Sequence, residues 1–369
     1  MRVVRQFQAD PARRCPPDRR GGARLLFAVA GLVAALSAPS RVRAATPTDG
    51  TLPPYEPRSV AVPPAAGYVL RDGSVQIVSF AGMAGAVDAL DDLFEKTHAG
   101  FHFTSRKGSN YSAASSLLFD ASPFAPMGAE VTLGELTGFA KLLGTEPLAI
   151  RVAHASLRPG ADVSPLAVIV NPGNHLATLT MGQVSRIFST GASKGDFTGW
   201  SQVGVKGDLG TREIHPCGPP ESDDSPSDDP DAGGFIVQHV FEGNHFCHSY
   251  QVFPRCADVV RRVSGDPQAI GLIPLNTVSA DVRVVAIAGD AWSPAAQGTA
   301  EEIAAGFYPL DRYLYIYLRR VAGRPIDPVA REYLRMVLSR EGQAAIAGDV
   351  KGYLPLNPRE VFEELGKLR

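Results

Sequence analysis

Cysteine is scarce, at four in 369 residues, and Cys15 lies in the Arg-rich start of the chain. That excludes a disulfide-dense scaffold. Of Cys217, Cys247 and Cys256, any one pairing leaves a thiol over, and spacing alone does not choose the pair. A basic excess is also missing, since the formal net charge is -2, so nothing argues for nucleic acid or another polyanionic partner. No stretch after the first forty residues is apolar for long enough to cross a bilayer. His239, His245 and His248, with Cys247 nearby, lack a standard zinc spacing, and the acidic run at 221–231 lacks the calcium-loop pattern. Gly191-Ala192-Ser193-Lys194-Gly195 has the letters of a serine-hydrolase elbow but not its context, because a helix precedes it and a polar loop follows. A flexible turn is expected there. No catalytic residue, metal or cofactor is expected.

What is there begins with an export signal. Arg2, Arg5, Arg13, Arg14, Arg19, Arg20 and Arg24 precede the apolar stretch Leu25 to Ala38, which is too short to span a membrane. Val42-Arg43-Ala44 has small-residue cleavage spacing. Residues 1–44 are therefore expected to be a signal peptide removed near Ala44. Arg19-Arg20 leaves both the general and the twin-arginine routes open. Residues 45–66, rich in Pro, Thr and Ala, are expected to be a loose leader.

Ser164 to Phe188 is the most legible stretch. Leu166 to Val170 is a continuous apolar run, as in a strand buried on both faces, and Asn171-Pro172-Gly173 ends it. Thr180 with Gln183 three residues on has capping-box spacing, and Met181, Val184, Ile187 and Phe188 then recur on one helical face. Upstream, Val75 to Phe80 reads as a strand and Val87, Leu90, Leu93 and Phe94 as a helix face. A strand over Phe101 to Ser105, a helix start at Tyr111, a helix over Val131 to Leu143 and a strand over Leu148 to Ala153 follow. This alternation predicts an α/β fold. Ligands in such sheets collect at strand C-terminal ends, where helix starts offer unpaired N–H groups. Gly82, Met83, Gly108, Ser109 and Ser112 occupy two such ends, so they are oxyanion candidates, although ordinary turn and cap roles explain the same residues.

These segments resemble a known family. LAVIVNPGNHLATLTMGQVSRIF with Trp200, Lys107-Gly108-Ser109, Asp120 with Pro126-Met127 and Glu130, Ala269 to Leu272, Phe307 to Leu318 and Leu338 to Pro355 occur in the order found in phosphate-type periplasmic solute-binding proteins of ABC importers. The resemblance covers roughly residues 75 to 357. It implies a two-lobed periplasmic-binding-protein-like fold (type II), each lobe a central, mainly parallel sheet flanked by helices. Lobe 1 would be 67–166 plus 293–369, and lobe 2 would be 167–292 with an acidic insertion at 218–232. Crossings would lie near Pro165 and near 285–300. The resemblance also implies that Asp120 accepts a hydrogen bond from a protonated ligand and that Gly233 and Gly234 stand where the family has Ser-Gly-Thr. The family's loop arginine is replaced by Ala125, and no arginine occupies its second-lobe place.

The resulting expectation is a periplasmic, monomeric binding protein that takes phosphate or a similar small oxyanion between its lobes and docks on an inner-membrane ABC permease. Two rivals stand beside it. One is the same fold with altered or lost ligand binding, acting as a sensor or accessory protein. The other, a secreted phosphatase, lacks a nucleophile with a base partner.

Overall fold

Every side chain from Leu166 to Val170 is fully buried, and alternate ones enter different cores in a computed structural model of the chain. Leu166, Val168 and Val170 join a cluster around Trp200, Phe188 and Phe241. Ala167 and Ile169 join a second one with Val259, Val263 and Cys217. A strand whose period is two meets apolar layers on both faces only when every residue is apolar. The structure describes residues 51–221, 227–241 and 243–369, all within one compact unit. The expected signal peptide, the first residues of the leader, and Asp223 and Asp224 lie outside the described residues.

The chain opens with β1 (Val75–Phe80), a single tight turn over Ala81–Met83 and α1 (Ala84–Thr97). Next come β2 (Phe103–Gly108), α2 (Asn110–Leu118), β3 (Phe124–Met127), α3 (Leu133–Leu143) and β4 (Leu148–Ser156). A linker then delivers β5 (Leu166–Val170), β6 (Thr178–Thr180), α4 (Met181–Phe188), a short helix α5 (Gly207–Gly210) and β7 (His215–Gly218). Residues α6 (Ala232–Phe235) run on into a wider helical turn over Ile236–Val240. β8 (Gln251–Val252), α7 (Cys256–Gly265), β9 (Ala269–Pro274), β10 (Arg283–Val284) and β11 (Ala286–Ala288) complete this part. The chain then gives α8 (Ala300–Ala304), β12 (Tyr313–Leu318), α9 (Pro328–Val337), α10 (Arg340–Ala347), β13 (Tyr353–Leu354) and α11 (Pro358–Gly366).

Early and late strands share one region, with β1 paired to β2 and a sheet ordered β13-β4-β12-β3. The middle of the chain builds the other, a five-stranded sheet ordered β10-β5-β9-β7-β8. The α/β class is as expected, but the two larger sheets are not mainly parallel: the four-stranded one is antiparallel throughout and the five-stranded one is mixed. β12 runs antiparallel to both β3 and β4, and β5 antiparallel to β9. The reason lies in the connections: β5 and β12 enter from linkers that cross between the two regions, so no right-handed helical crossover sets their direction. The two linkers, 157–165 and 289–312, run side by side. Leu166 N–H donates to the Leu310 carbonyl at 2.9 Å, and Tyr308 Oη donates to the Leu166 carbonyl at 2.6 Å.

The capping boxes read from the sequence are formed. Thr180 and Gln183 satisfy each other's backbone at the start of α4, and Thr132 and Glu135 do so at α3. The strand expected over Phe101 to Ser105 is shifted to Phe103–Gly108. The leader is also corrected: from Leu52 onward it is held, not loose. Leu52 is buried, Tyr55 N–H donates to Glu341 at 2.7 Å, Arg58 N–H donates to Glu332 at 3.0 Å, and Arg340 N–H donates to the Pro53 carbonyl. A Pro-rich segment cannot build a ladder of its own, so its backbone groups take partners on α9 and α10.

Candidate functional site

The site begins with a register. β1 and β2 are parallel, with Phe80 opposite Gly108, so both strands end at one edge. The turn holding Gly82 and Met83 therefore lies beside the start of α2, and the α1 and α2 starts face the same way. Ser109 caps α2 through its hydroxyl, which accepts from Ser112 N–H at 3.2 Å. Ser112 Oγ donates to the Ser109 carbonyl at 2.8 Å. A Cβ at Gly108 would meet Ser112 Oγ, which would have to rotate away to admit it. The hydroxyls of both serines thus do local capping work, while the helix-start N–H dipoles still point out of the edge.

Asn110, the first residue of α2, ties three segments together. Its Oδ1 accepts from Gly128 N–H at 2.8 Å, which fastens the end of β3 to this edge. Its Nδ2 donates to the Asp231 carboxylate at 3.0 Å. Asp231 immediately precedes α6, so the two regions meet at this point. Gly233, buried in the first turn of α6, lies against the carbonyls of Pro220 and Glu221; a Cβ would sit 2.6 Å from the Glu221 oxygen. Gly234 is half-buried beside it. Gly108 and Gly233 are therefore on facing sides of one junction.

Acidic groups crowd this junction. Glu130 receives His239 Nε2 at 2.8 Å and Tyr315 Oη at 2.6 Å. Burial works against its charge, yet those two hydrogen bonds hold its carboxyl below the ordinary value. Asp162 Oδ2 approaches Gly82, where a Cβ would lie 2.9 Å away, and is paired with Lys351 at 2.7 Å. Arg312, nearly fully buried, donates to Asp229 at 2.5 Å and places its guanidinium 5.7 Å from the centre of the Phe235 ring on α6. A cation sits next to α6 after all, but it comes from β12's lead-in and is already matched by a carboxylate.

Asp120 is not brought to this edge. It follows the C-terminal end of α2, roughly 13 Å along the helix from Ser109. There it adopts a left-handed backbone (φ 59°), which Asp tolerates, and its carboxylate accepts Gly67 N–H at 2.9 Å with Arg319 at 3.8 Å. The residues gathered instead are Asn110, Asp231 and Arg312. Asn110 carried no signal beyond following a cap residue. Arg312 had one: a single cation heading an apolar strand must find a buried partner.

No family model matches the chain. Two curated relatives, the phosphate-binding protein PstS of two Pseudomonas aeruginosa strains, are 27% identical over 344 residues, which cover 92% of this chain and 97% of each relative. The chain is a relative of the PstS phosphate-binding proteins. Among solved structures, PstS from Borrelia burgdorferi superposes with a TM-score of 0.51 at 16% identity, covering 77% of this chain and 98% of that one. The fold is that of the periplasmic binding proteins.

His239 pairs with Glu130 and His245 with Glu221, so they diverge. Cys217, Cys247 and Cys256 are free thiols. Burial pushes the Cys217 thiol up to about 12 and Cys256 up to about 11, which makes both poor nucleophiles. The turn at Gly191 to Gly195 is organised by Asp196, which accepts Gly191 and Ala192 N–H groups at 3.2 and 2.9 Å.

Proposed function

We propose that the protein is an exported, phosphate-type solute-binding component of an ABC importer, holding phosphate or a similar small oxyanion at the junction of β1–α1, β2–α2 and α6. The observation that carries this reading is the likeness to PstS proteins over 97% of their length. The geometry supports it: two helix starts converge at one sheet edge, and a small anion there meets backbone N–H groups without needing many side-chain cations. Gly82, Met83, Gly108 and Ser109 would supply those groups, with Ser112 supporting the cap. Gly233 and Gly234 would face the anion from the other region, and closure about the paired linkers would bury it. Asp120 keeps no ligand role in this reading, because it lies at the far end of α2. Export to the periplasm by the Arg-rich signal segment, a permease partner and a monomeric state belong to the same proposal, as does the absence of catalysis. Lobe 1 would be 67–166 plus 293–369, and lobe 2 would be 167–292.

A second reading is favoured by Asp231, whose carboxylate holds Asn110, and by Asp229, which holds Arg312. On that reading the fold serves as a sensor or accessory protein for a different ligand. Isothermal titration of the purified protein with phosphate, arsenate and sulfate separates the two. Saturable heat with phosphate and arsenate is expected; no heat with any of the three removes the oxyanion reading and leaves the fold standing.

A further inference from the structure

The segment leading into α6 sends two carboxylates into the first region. Asp231 takes the side-chain N–H of Asn110 at the start of α2, and Asp229, almost fully buried, takes the guanidinium of Arg312. Pro220 and Glu221 meanwhile press their carbonyls against Gly233, so the α6 start is covered by its own chain. An oxyanion arriving at this junction finds a carboxylate already held by Asn110, the first residue of α2. Two like charges a few ångströms apart in a half-buried site repel strongly, so the carboxylate must leave before the ligand binds.

We propose that Asp231 is a built-in competitor for the oxyanion site, a tethered carboxylate that latches the ligand-free junction and is displaced by the ligand. This rests on the oxyanion reading given above. Asp229 serves as the anchor: its buried pair with Arg312 holds the segment two residues away, so Asp231 returns to Asn110 whenever the site empties. The effective concentration of such a tethered group is high, which lowers apparent affinity for a free anion without altering the donors themselves. The chain would thus respond only at elevated ligand concentration.

The test is titration of inorganic phosphate into the wild-type protein and into Asp231→Ala and Asp231→Asn, with thermal melts to confirm that each variant is folded. Both variants are expected to bind phosphate about tenfold more tightly, or better, than the wild type. Small-angle scattering of the phosphate-free Asp231→Ala protein is expected to show a larger radius of gyration than the wild type, and addition of phosphate is expected to abolish the difference. Wild-type binding with equal or weaker binding by both variants overturns the latch alone, and weaker binding would mean that Asp231 holds a ligand proton. No phosphate binding by any of the three proteins removes the oxyanion reading, and the latch with it.

Discussion

The imidazole of His154 lies between two carboxylates, with Nδ1 2.6 Å from Asp311 and Nε2 3.0 Å from Glu360. All three are buried, His154 completely. The trio joins β4, the lead-in to β12 and α11 at the place where the two linkers run together.

Burial alone would lower the His154 pKa, but the two carboxylates outweigh it and raise the value from 6.5 to about 9. A raised histidine stabilises the fold fully below pH 6.5 and loses that contribution as pH climbs through 9. His154→Leu strands two buried carboxylates, so it is expected to cost roughly 3–5 kcal/mol at pH 6. The cost should shrink above pH 9, where the wild-type imidazolium is lost. Denaturant titrations of both proteins across pH 6 to 10 read this difference, and a pH-independent gap would count against it.

Asp91 has the opposite logic. Burial pushes its carboxyl from 3.8 up to about 7, despite hydrogen bonds from Tyr333 Oη at 2.7 Å and Ser105 Oγ at 2.9 Å. A carboxyl with a raised folded pKa binds its proton more tightly when folded, so wild-type stability falls as pH rises from 4 to 7. Asp91→Asn removes that titration. Its stability relative to wild type is expected to improve by on the order of 2 kcal/mol between pH 4 and pH 7. Melting temperatures of the two proteins that run parallel over this range would contradict the assignment.

Gly233 and Gly108 both forbid a Cβ, but for different reasons. At Gly233 the obstacle is backbone, the Pro220 and Glu221 carbonyls; at Gly108 it is one hydroxyl that can rotate. Gly233→Ala is expected to cost about 2 kcal/mol, and Gly108→Ala under about 1 kcal/mol, which the double variant Gly108→Ala with Ser112→Ala should largely recover. Chemical denaturation checks the ranking; a larger loss at Gly108 than at Gly233 would refute it.

Thr180 accepts from Gln183 N–H at 3.2 Å while Gln183 Oε1 accepts from Thr180 N–H at 2.9 Å. Thr180→Ala leaves a helix-start N–H without its partner and is expected to cost about 1 kcal/mol. Urea unfolding should show a lowered midpoint with an unchanged slope, and an unchanged midpoint would deny the cap any net value.

Local order was set by the amino-acid sequence alone. The all-apolar run at Leu166 to Val170, the capping pairs Thr180–Gln183 and Thr132–Glu135, and the strand–Gly–helix turns at Gly82 and Gly108 depend on residues three or four apart, within reach of periodicity and hydrogen-bonding rules. Which carboxylate meets which donor was decided only by the tertiary structure. Asn110 and Asp231 are 121 residues apart and Arg312 and Asp229 are 83 apart, and no short-range rule couples positions so distant. Asp120 shows the same limit from the other side: the family resemblance implied a ligand role for it, but the nine residues of α2 carry it to the opposite end of the helix. Chain crossing between the two sheets, not local propensity, brings the acidic segment onto the helix starts.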